Sequence, residues 1–246
     1  MVTLKTPHEI ELMRTAGQIL KRILEKLKGF VAADKTTQEI DDFAAELIAR
    51  EGVTAAFKGY KGFPANICIS VNEEVVHGIP SEKKIKLGDI VSLDVGLSRQ
   101  GYFVDTAFTL PVGKVAPEVK KLLRVTNEAL FKGINQARPG RHLGDISFSV
   151  QRHVEANGFS VVRQFVGHGI GCNLQEEPEV PNFGKPHAGI VLKPGMVLAI
   201  EPMVNMGNWE VEVLDNGWTV VTKDKLPSAH FEHTVAITEN GPIVLT

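Results

Sequence analysis

Much that would mark a specialised chain is missing from these 246 residues. There are two cysteines, Cys68 and Cys172, with no CxxC spacing, so a disulfide scaffold and a thiolate zinc site are both excluded. A reducing, cytoplasmic compartment is the expectation. No run of 18 apolar residues occurs, which leaves no candidate transmembrane helix and no membrane partner. The opening MVTLKTPHEI has no apolar h-region, so no signal peptide is expected. The 27 basic residues do not outnumber the 29 acidic ones, and a net charge of −2 gives no global basic field for nucleic acid. What is present is ordinary: 43% hydrophobic and 23% charged residues, enough for a sizeable core in one or two domains.

The first informative feature is self-similarity. A proline-led helical segment, a second helical run ending in glycine, and then strands occur twice, starting at Pro7 and at Pro117. Gly52 and Gly158 close the second run of each copy and lie 106 residues apart. "GDIVSLD" from Gly88 and "GMVLAIE" from Gly195 are offset by 107 residues, and so are the carboxylates that end them, Asp94 and Glu201. The spacing predicts a duplicated α+β unit, roughly 1–112 and 113–246, fused into a single catalytic domain over 1–246.

Helix boundaries are well signalled. Thr6-Pro7-His8-Glu9 and Thr36–Glu39 are capping boxes, the first with proline at N1. Apolar residues at helical period follow each, ending near Gly29 and Gly52, and the pattern returns from Pro117 and over 143–157. These faces are core and carry no chemistry.

The strands do carry chemistry. "IVSLDVG" and "YFVDTAFTL" flank Ser98-Arg99-Gln100-Gly101. A two-residue loop at Arg99-Gln100 would pair residue i with 199 − i and place Asp94 directly opposite Asp105, on a hairpin whose other face is apolar. Facing like charges destabilise a sheet, more so when buried, and a cation between them removes the conflict. Glu201 ends "MVLAIEP", Glu232 sits in "HFEHTVAIT", and His168 lies between glycines in "VGHGIG". Acidic groups in such apolar settings are seldom buried unless paired or ligated. One would be unremarkable; four with a histidine point to a metal. Oxygen donors with one imidazole suit Mn(II), Fe(II), Co(II) or Zn(II). Four carboxylates match two divalent ions, and such two-metal sites activate water for hydrolysis.

The motifs "VVHGIP", "GDIVSLDVG", "GYFVDTAFT", "VGHGIG", "AIEPM" and "SAHFEHTVAIT" run through most of the chain. In order and spacing they resemble those of the type I methionine aminopeptidases, in their bacterial form. The resemblance implies a duplicated pita-bread fold, with an antiparallel sheet covered by helices in two pseudo-two-fold halves. It implies removal of the initiator methionine when the second residue is small. By the same resemblance, Asp94, Asp105, His168, Glu201 and Glu232 are the metal ligands. Asp105 and Glu232 are the bridging pair, His168 and Glu201 belong to the other ion, and Glu201 is also the general base. His77 corresponds to the histidine that binds substrate at the scissile amide. Tyr60, Phe63, Cys68 and Trp218 would form the pocket for the methionine side chain, with Trp218 just after a two-residue Asn216-Gly217 hairpin turn. Without the resemblance, Tyr60 and Phe63 read as core, His77 as a structural histidine and Cys68 as a buried hydrophobe. Asn72 and Ser228 match a structural monovalent cation site. His230 and His233 flank Glu232 and read as bland, at most orienting the ligands from behind; His142 and His187 read as loop residues. The implied partners are N-terminal methionine peptides and the ribosome near the exit tunnel, and the expected state is a monomer.

One position departs from the pattern. The family carries a second histidine seven residues after the first; here it is Gln175. Glutamine donates a neutral N–H but cannot become a cation. Because such donors are a large catalytic contribution, a slower paralogue, or a binding-only relative, stands as an alternative to an active enzyme. The prolidase and aminopeptidase P group is the other, disfavoured because the first helix starts near residue 7 and leaves no room for that group's N-terminal domain.

Overall fold

The computed structural model describes residues 2–246. Four long helices form where the caps place them. In α1 (Pro7–Phe30) the Thr6 side chain accepts from Glu9 N–H while Glu9 accepts from Thr6 N–H. One face, with Met13, Leu20, Ile23 and Leu27, is buried. Thr36 and Glu39 start α2 (Thr37–Arg50) in the same way. Proline at N1 opens α3 (Pro117–Ile134), and α4 (Leu143–Ala156) begins where Asp145 accepts from His142 N–H at 2.9 Å.

The two halves correspond in detail. Isolated β-bridges join Thr36 to Lys84 in one half and His142 to Val191 in the other. Gly88 and Gly195, which lead into the two carboxylate-bearing strands, share a left-handed φ of 95° and 91°, a conformation open to glycine. Each half has its own core. α1 covers the strands Ile90–Arg99 and Tyr102–Pro111, with α2 packed beside it, in a core that buries Leu93, Val95 and Val104. α3 and α4 pack with Leu198, Ile200, Val235 and Ile237.

The strands form four antiparallel sheets. Ile90–Arg99 pairs with Tyr102–Pro111 on one edge and with Thr54–Ala55 and Cys68–Val71 on the other. A five-stranded sheet runs Gly241–Val244, His233–Thr238, Val197–Ile200, Gly167–Gly169, Glu176–Val180. Two three-stranded sheets close the molecule: Ser228–His230, Met203–Asn205, Ser160–Val161, and Val211–Val213, Val220–Thr222, Glu74–Val76.

The hairpin register differs from expectation. Arg99 pairs with Tyr102, so the two-residue turn is Gln100-Gly101, not Arg99-Gln100. Both turn residues have positive φ, 52° and 82°, as a type I′ turn requires, and glycine meets that demand best at the second place. Asp94 therefore faces Ala107, and Asp105 faces Gly96. The shift is two residues, an even number, so both carboxylates stay on one face as diagonal neighbours. The Asn216-Gly217 turn is also longer than expected. Leu214 N–H donates to Thr219 O around a four-residue loop in which only Gly217 has positive φ, and Asn216 Oδ1 accepts from the N–H groups of Trp218 and Thr219.

Candidate active site

All eleven residues singled out in the sequence for ligation, catalysis or the side-chain pocket line one cavity. Asp94 and Asp105 come from the hairpin of the first half. His168 lies on the short strand Gly167–Gly169, Glu201 follows Val197–Ile200, and Glu232 lies between Ser228–His230 and His233–Thr238. The strand bearing Asp105 and the segment bearing Glu232 are stitched together: Glu232 N–H donates to Ala107 O at 2.9 Å, and Thr106 Oγ1 donates to Glu232 O at 2.6 Å.

His168 is held ready to ligate. Its Nδ1 lies 2.9 Å from Gly169 O. A carbonyl only accepts, so Nδ1 carries the hydrogen and Nε2 presents its lone pair. That Nε2 is 3.6 Å from Asp105 Oδ2 and 3.7 Å from Glu201 Oε1. The ligand atoms of Asp105, His168 and Glu232 all lie within 4.8 Å of one another. The flanking glycines are a packing requirement: a Cβ on Gly167 would sit 2.3 Å from Ala199 O, and one on Gly169 2.3 Å from Glu177 O.

The electrostatics call for cations. Burial drives the pKa of Asp94 to about 8 and that of Glu201 to about 8. It also lifts Glu232 well above the carboxylate range, with the charges of Asp105, Glu201 and Asp94 adding to it. Asp105 is raised by the same burial, opposed by His168. Among the described residues no lysine or arginine pairs with any of these four carboxylates. The near partners are imidazoles, His168 and His230, the latter with Nε2 3.5 Å from Glu201 Oε2. Asp94 Oδ1 and His230 Nε2 are buried without a hydrogen bond. An orphaned carboxylate oxygen and an uncompensated carboxylate cluster fit a divalent-metal centre.

Beside the carboxylates lies an apolar wall. Phe63 meets Trp218 edge to face at 5.1 Å, and Cys68, opposite Asp94 on the neighbouring strand, packs with Phe63 and Ala65. Burial pushes the Cys68 thiol up, so it remains a thiol and a hydrophobe. His77, edge-on to Phe165 and Trp218, has a positive φ of 58°. Burial first, then the charges of His230 and Lys61, hold its pKa to about 4, so the ring is neutral.

His230, read from sequence as a bland neighbour, lines the cavity, as do Lys61 and Phe165, which sequence reasoning passed over. A histidine in an apolar strand and a lysine in a loop carry no distinguishing pattern. Asn72 and Ser228 are neighbours, with Ser228 N–H donating to Asn72 O at 2.9 Å. His142, Asp145 and His187 form a second cluster away from this cavity. There the oxygens of Asp145 accept from the N–H groups of His142 and His187, both at 2.9 Å, which is a helix-capping arrangement.

Residues 11–239 match Metallopeptidase family M24. The chain is 55% identical to the methionine aminopeptidase of Clostridium perfringens and 50% identical to methionine aminopeptidase 1 of Bacillus subtilis, over 100% of this chain and 99% of each relative. It superposes on the crystal structure of the Thermotoga maritima methionine aminopeptidase with a TM-score of 0.98 at 48% identity, covering 100% of this chain and 99% of that one. The prolidase of Pyrococcus furiosus shares the fold alone, at 24% identity and a TM-score of 0.80, with 99% of this chain and 65% of that one covered. The fold is the pita-bread arrangement that the motifs implied, and divalent-metal use comes with the family. The chain belongs to metallopeptidase family M24, within its methionine aminopeptidase group.

Proposed function

We propose that this chain removes the N-terminal methionine from nascent proteins and peptides whose second residue is small. The observation that carries the reading is the convergence of five candidate ligands, His77 and an apolar aromatic pocket on one cavity. Asp94, Asp105, His168, Glu201 and Glu232 would hold two divalent ions. Such ions supply Lewis-acid polarisation of the scissile carbonyl and activation of a water.

The side chains do the rest. Tyr60, Phe63, Cys68 and Trp218 take the unbranched methionine side chain and exclude water from it. Neutral His77 donates its N–H to the substrate at the scissile amide, where an uncharged donor avoids repelling the substrate's own ammonium. Glu201 is the general base: it lies on the same cavity wall as the other ligands, and bound metal would keep its carboxylate ionised and able to accept the proton of the attacking water. Gln175 donates an N–H to the carbonyl oxygen as negative charge develops there.

Ligands from both halves meet in this cavity, which supports residues 1–246 acting as one catalytic unit. The place for this activity is the cytoplasm, close to the ribosomal exit tunnel where nascent amino termini emerge. Asn72 and Ser228, joined by their backbone hydrogen bond, are the place for a structural monovalent cation. The test is turnover of Met-Gly-Met and Met-Lys-Met by chelated protein reconstituted in turn with Mn(II), Fe(II), Co(II) and Zn(II). Metal-dependent cleavage of the first peptide far above the second is expected; equal cleavage, or cleavage without metal, overturns the reading.

A further inference from the structure

Gln175 does not stand alone at the cavity wall. Tyr60 Oη and Lys61 Nζ each lie 3.1 Å from its Oε1. An ammonium has three donors and no acceptor, so the atom facing Lys61 is the amide oxygen, and Tyr60 must donate to it as well. The orientation of the amide is thereby decided. Its NH2 end makes no hydrogen bond among the described residues, and both Gln175 and Lys61 line the cavity that holds the carboxylate cluster.

Lys61 is brought there by an unusual backbone. Its φ of 48° and ψ of 22° lie in the left-handed region, between Gly59 at φ 84° and Gly62 at φ 89°. Non-glycine residues stay in that region only where surrounding contacts over-determine it, and such positions concentrate at functional sites. The contacts are present. Gly59 N–H donates to Phe63 O at 2.8 Å, closing the loop, and Phe63 is buried against Trp218. Lys61 Nζ also lies 5.2 Å from the Tyr60 ring centroid, within cation–π range. Lys61 and Gln175 are both exposed at the cavity mouth, and the ammonium is carried there on a loop anchored in the apolar pocket and laid across to Gln175.

We propose that Lys61 is a positioning residue for hydrolysis: together with Tyr60 it fixes the Gln175 amide with its N–H bonds free for the substrate carbonyl, and its fixed charge polarises that amide. A hydrogen bond accepted by an amide oxygen from a cation draws electron density off the nitrogen and strengthens its N–H donors, as chains of hydrogen bonds reinforce one another. The Lys61–Gln175 pair then presents a donor backed by a full positive charge, which glutamine alone lacks. The benefit appears where charge develops on the carbonyl oxygen, in the transition state. This inference rests on the reading of Gln175 as a donor to that oxygen.

The experiment is a double-mutant cycle on the metal-loaded enzyme with Met-Gly-Met, with metal content measured for each variant. Lys61→Met is expected to lower kcat about tenfold, the scale of one charge-assisted hydrogen bond, with KM changed by less than about twofold. Lys61→Arg should recover most of the loss. In a Gln175→Ala background, Lys61→Met should cost nothing further, because its effect passes through the amide. Additive losses, or an unaltered kcat in Lys61→Met, overturn the role of Lys61 while leaving Gln175 intact. An unaltered kcat in Gln175→Ala overturns the reading of Gln175 and the inference with it.

Discussion

The Thr234 hydroxyl lies 3.1 Å from Oδ1 of Asp105 and 2.8 Å from the backbone oxygen of the same residue, while Asp105 N–H donates back to it. A buried carboxylate oxygen is thereby aimed from a neighbouring strand, leaving Oδ2 toward His168. Groups that orient a ligand in this way commonly matter 10–100-fold to metal affinity, roughly. Thr234→Val keeps the shape and removes the hydroxyl, so metal affinity should fall by about that factor, and Thr234→Ser should restore it. Competition titration against a chromogenic chelator measures this. A folded Thr234→Val protein with parental affinity would show that Asp105 needs no such guide.

Glu201 and His77 should separate in their effects. Glu201→Gln removes the proposed base and weakens a ligand, so kcat should fall by about 10²–10⁴ and metal affinity should fall with it. His77→Ala removes a hydrogen bond to substrate, so kcat should drop by roughly 10²–10³ while metal stays bound. Elemental analysis beside steady-state kinetics makes the distinction. Metal loss from the His77 variant would assign that residue to the metal instead.

The glycines around His168 offer a test through packing. Gly169→Ala places a Cβ 2.3 Å from Glu177 O and 2.8 Å from its carbonyl carbon, and backbone cannot yield as a side chain does. Separating these strands should destabilise the protein by roughly 1–3 kcal/mol, the usual cost of overpacking. Metal affinity should fall disproportionately, because the strand that moves carries His168. Chemical denaturation with and without metal reads both. A stable Gly169→Ala protein with normal affinity would mean the strands tolerate the wider spacing.

The helices and the ligands were legible for different reasons. Capping boxes at Thr6 and Thr36 are local chemistry, and the helices begin beside them. The carboxylates were legible because a charge in an apolar strand is costly enough to need an explanation. The hairpin register was not: two neighbouring two-residue turns compete, and Gln100 accepts a positive φ that its side chain does not advertise. Only an odd slip would have moved Asp105 to the other face, which is why the site survived the error. Lys61 was invisible because its role arises from contact with Gln175, 114 residues away, and His230 stood out only as a flank of Glu232 because its contact is with Glu201, 29 residues away.

The pH dependence of stability gives the last prediction. Burial holds the pKa of Asp94 and of Glu201 to about 8, against ordinary values of 3.8 and 4.5. Without metal, the folded protein therefore binds more protons than the unfolded chain between about pH 4 and pH 8. The stability linked to these groups is fully present below their ordinary values and is lost as the pH rises through 8. Carboxylates with lowered values, such as Asp145, where hydrogen bonds from His142 and His187 outweigh burial, act in the opposite sense and only at acid pH. Buried His77 and His233, lowered from 6.5 to about 4, act in the opposite sense below about pH 6.5, so chelated protein should melt at progressively lower temperature between about pH 7 and pH 8.5. Protein loaded with Mn(II) should not follow, because the ion holds the same carboxylates ionised and its binding grows as protons leave. The gap between the two melting temperatures should therefore widen with pH. A gap that stays constant would show that these carboxylates are already ionised in the metal-free protein, and that their burial does not create the demand for cations on which the metal assignment rests.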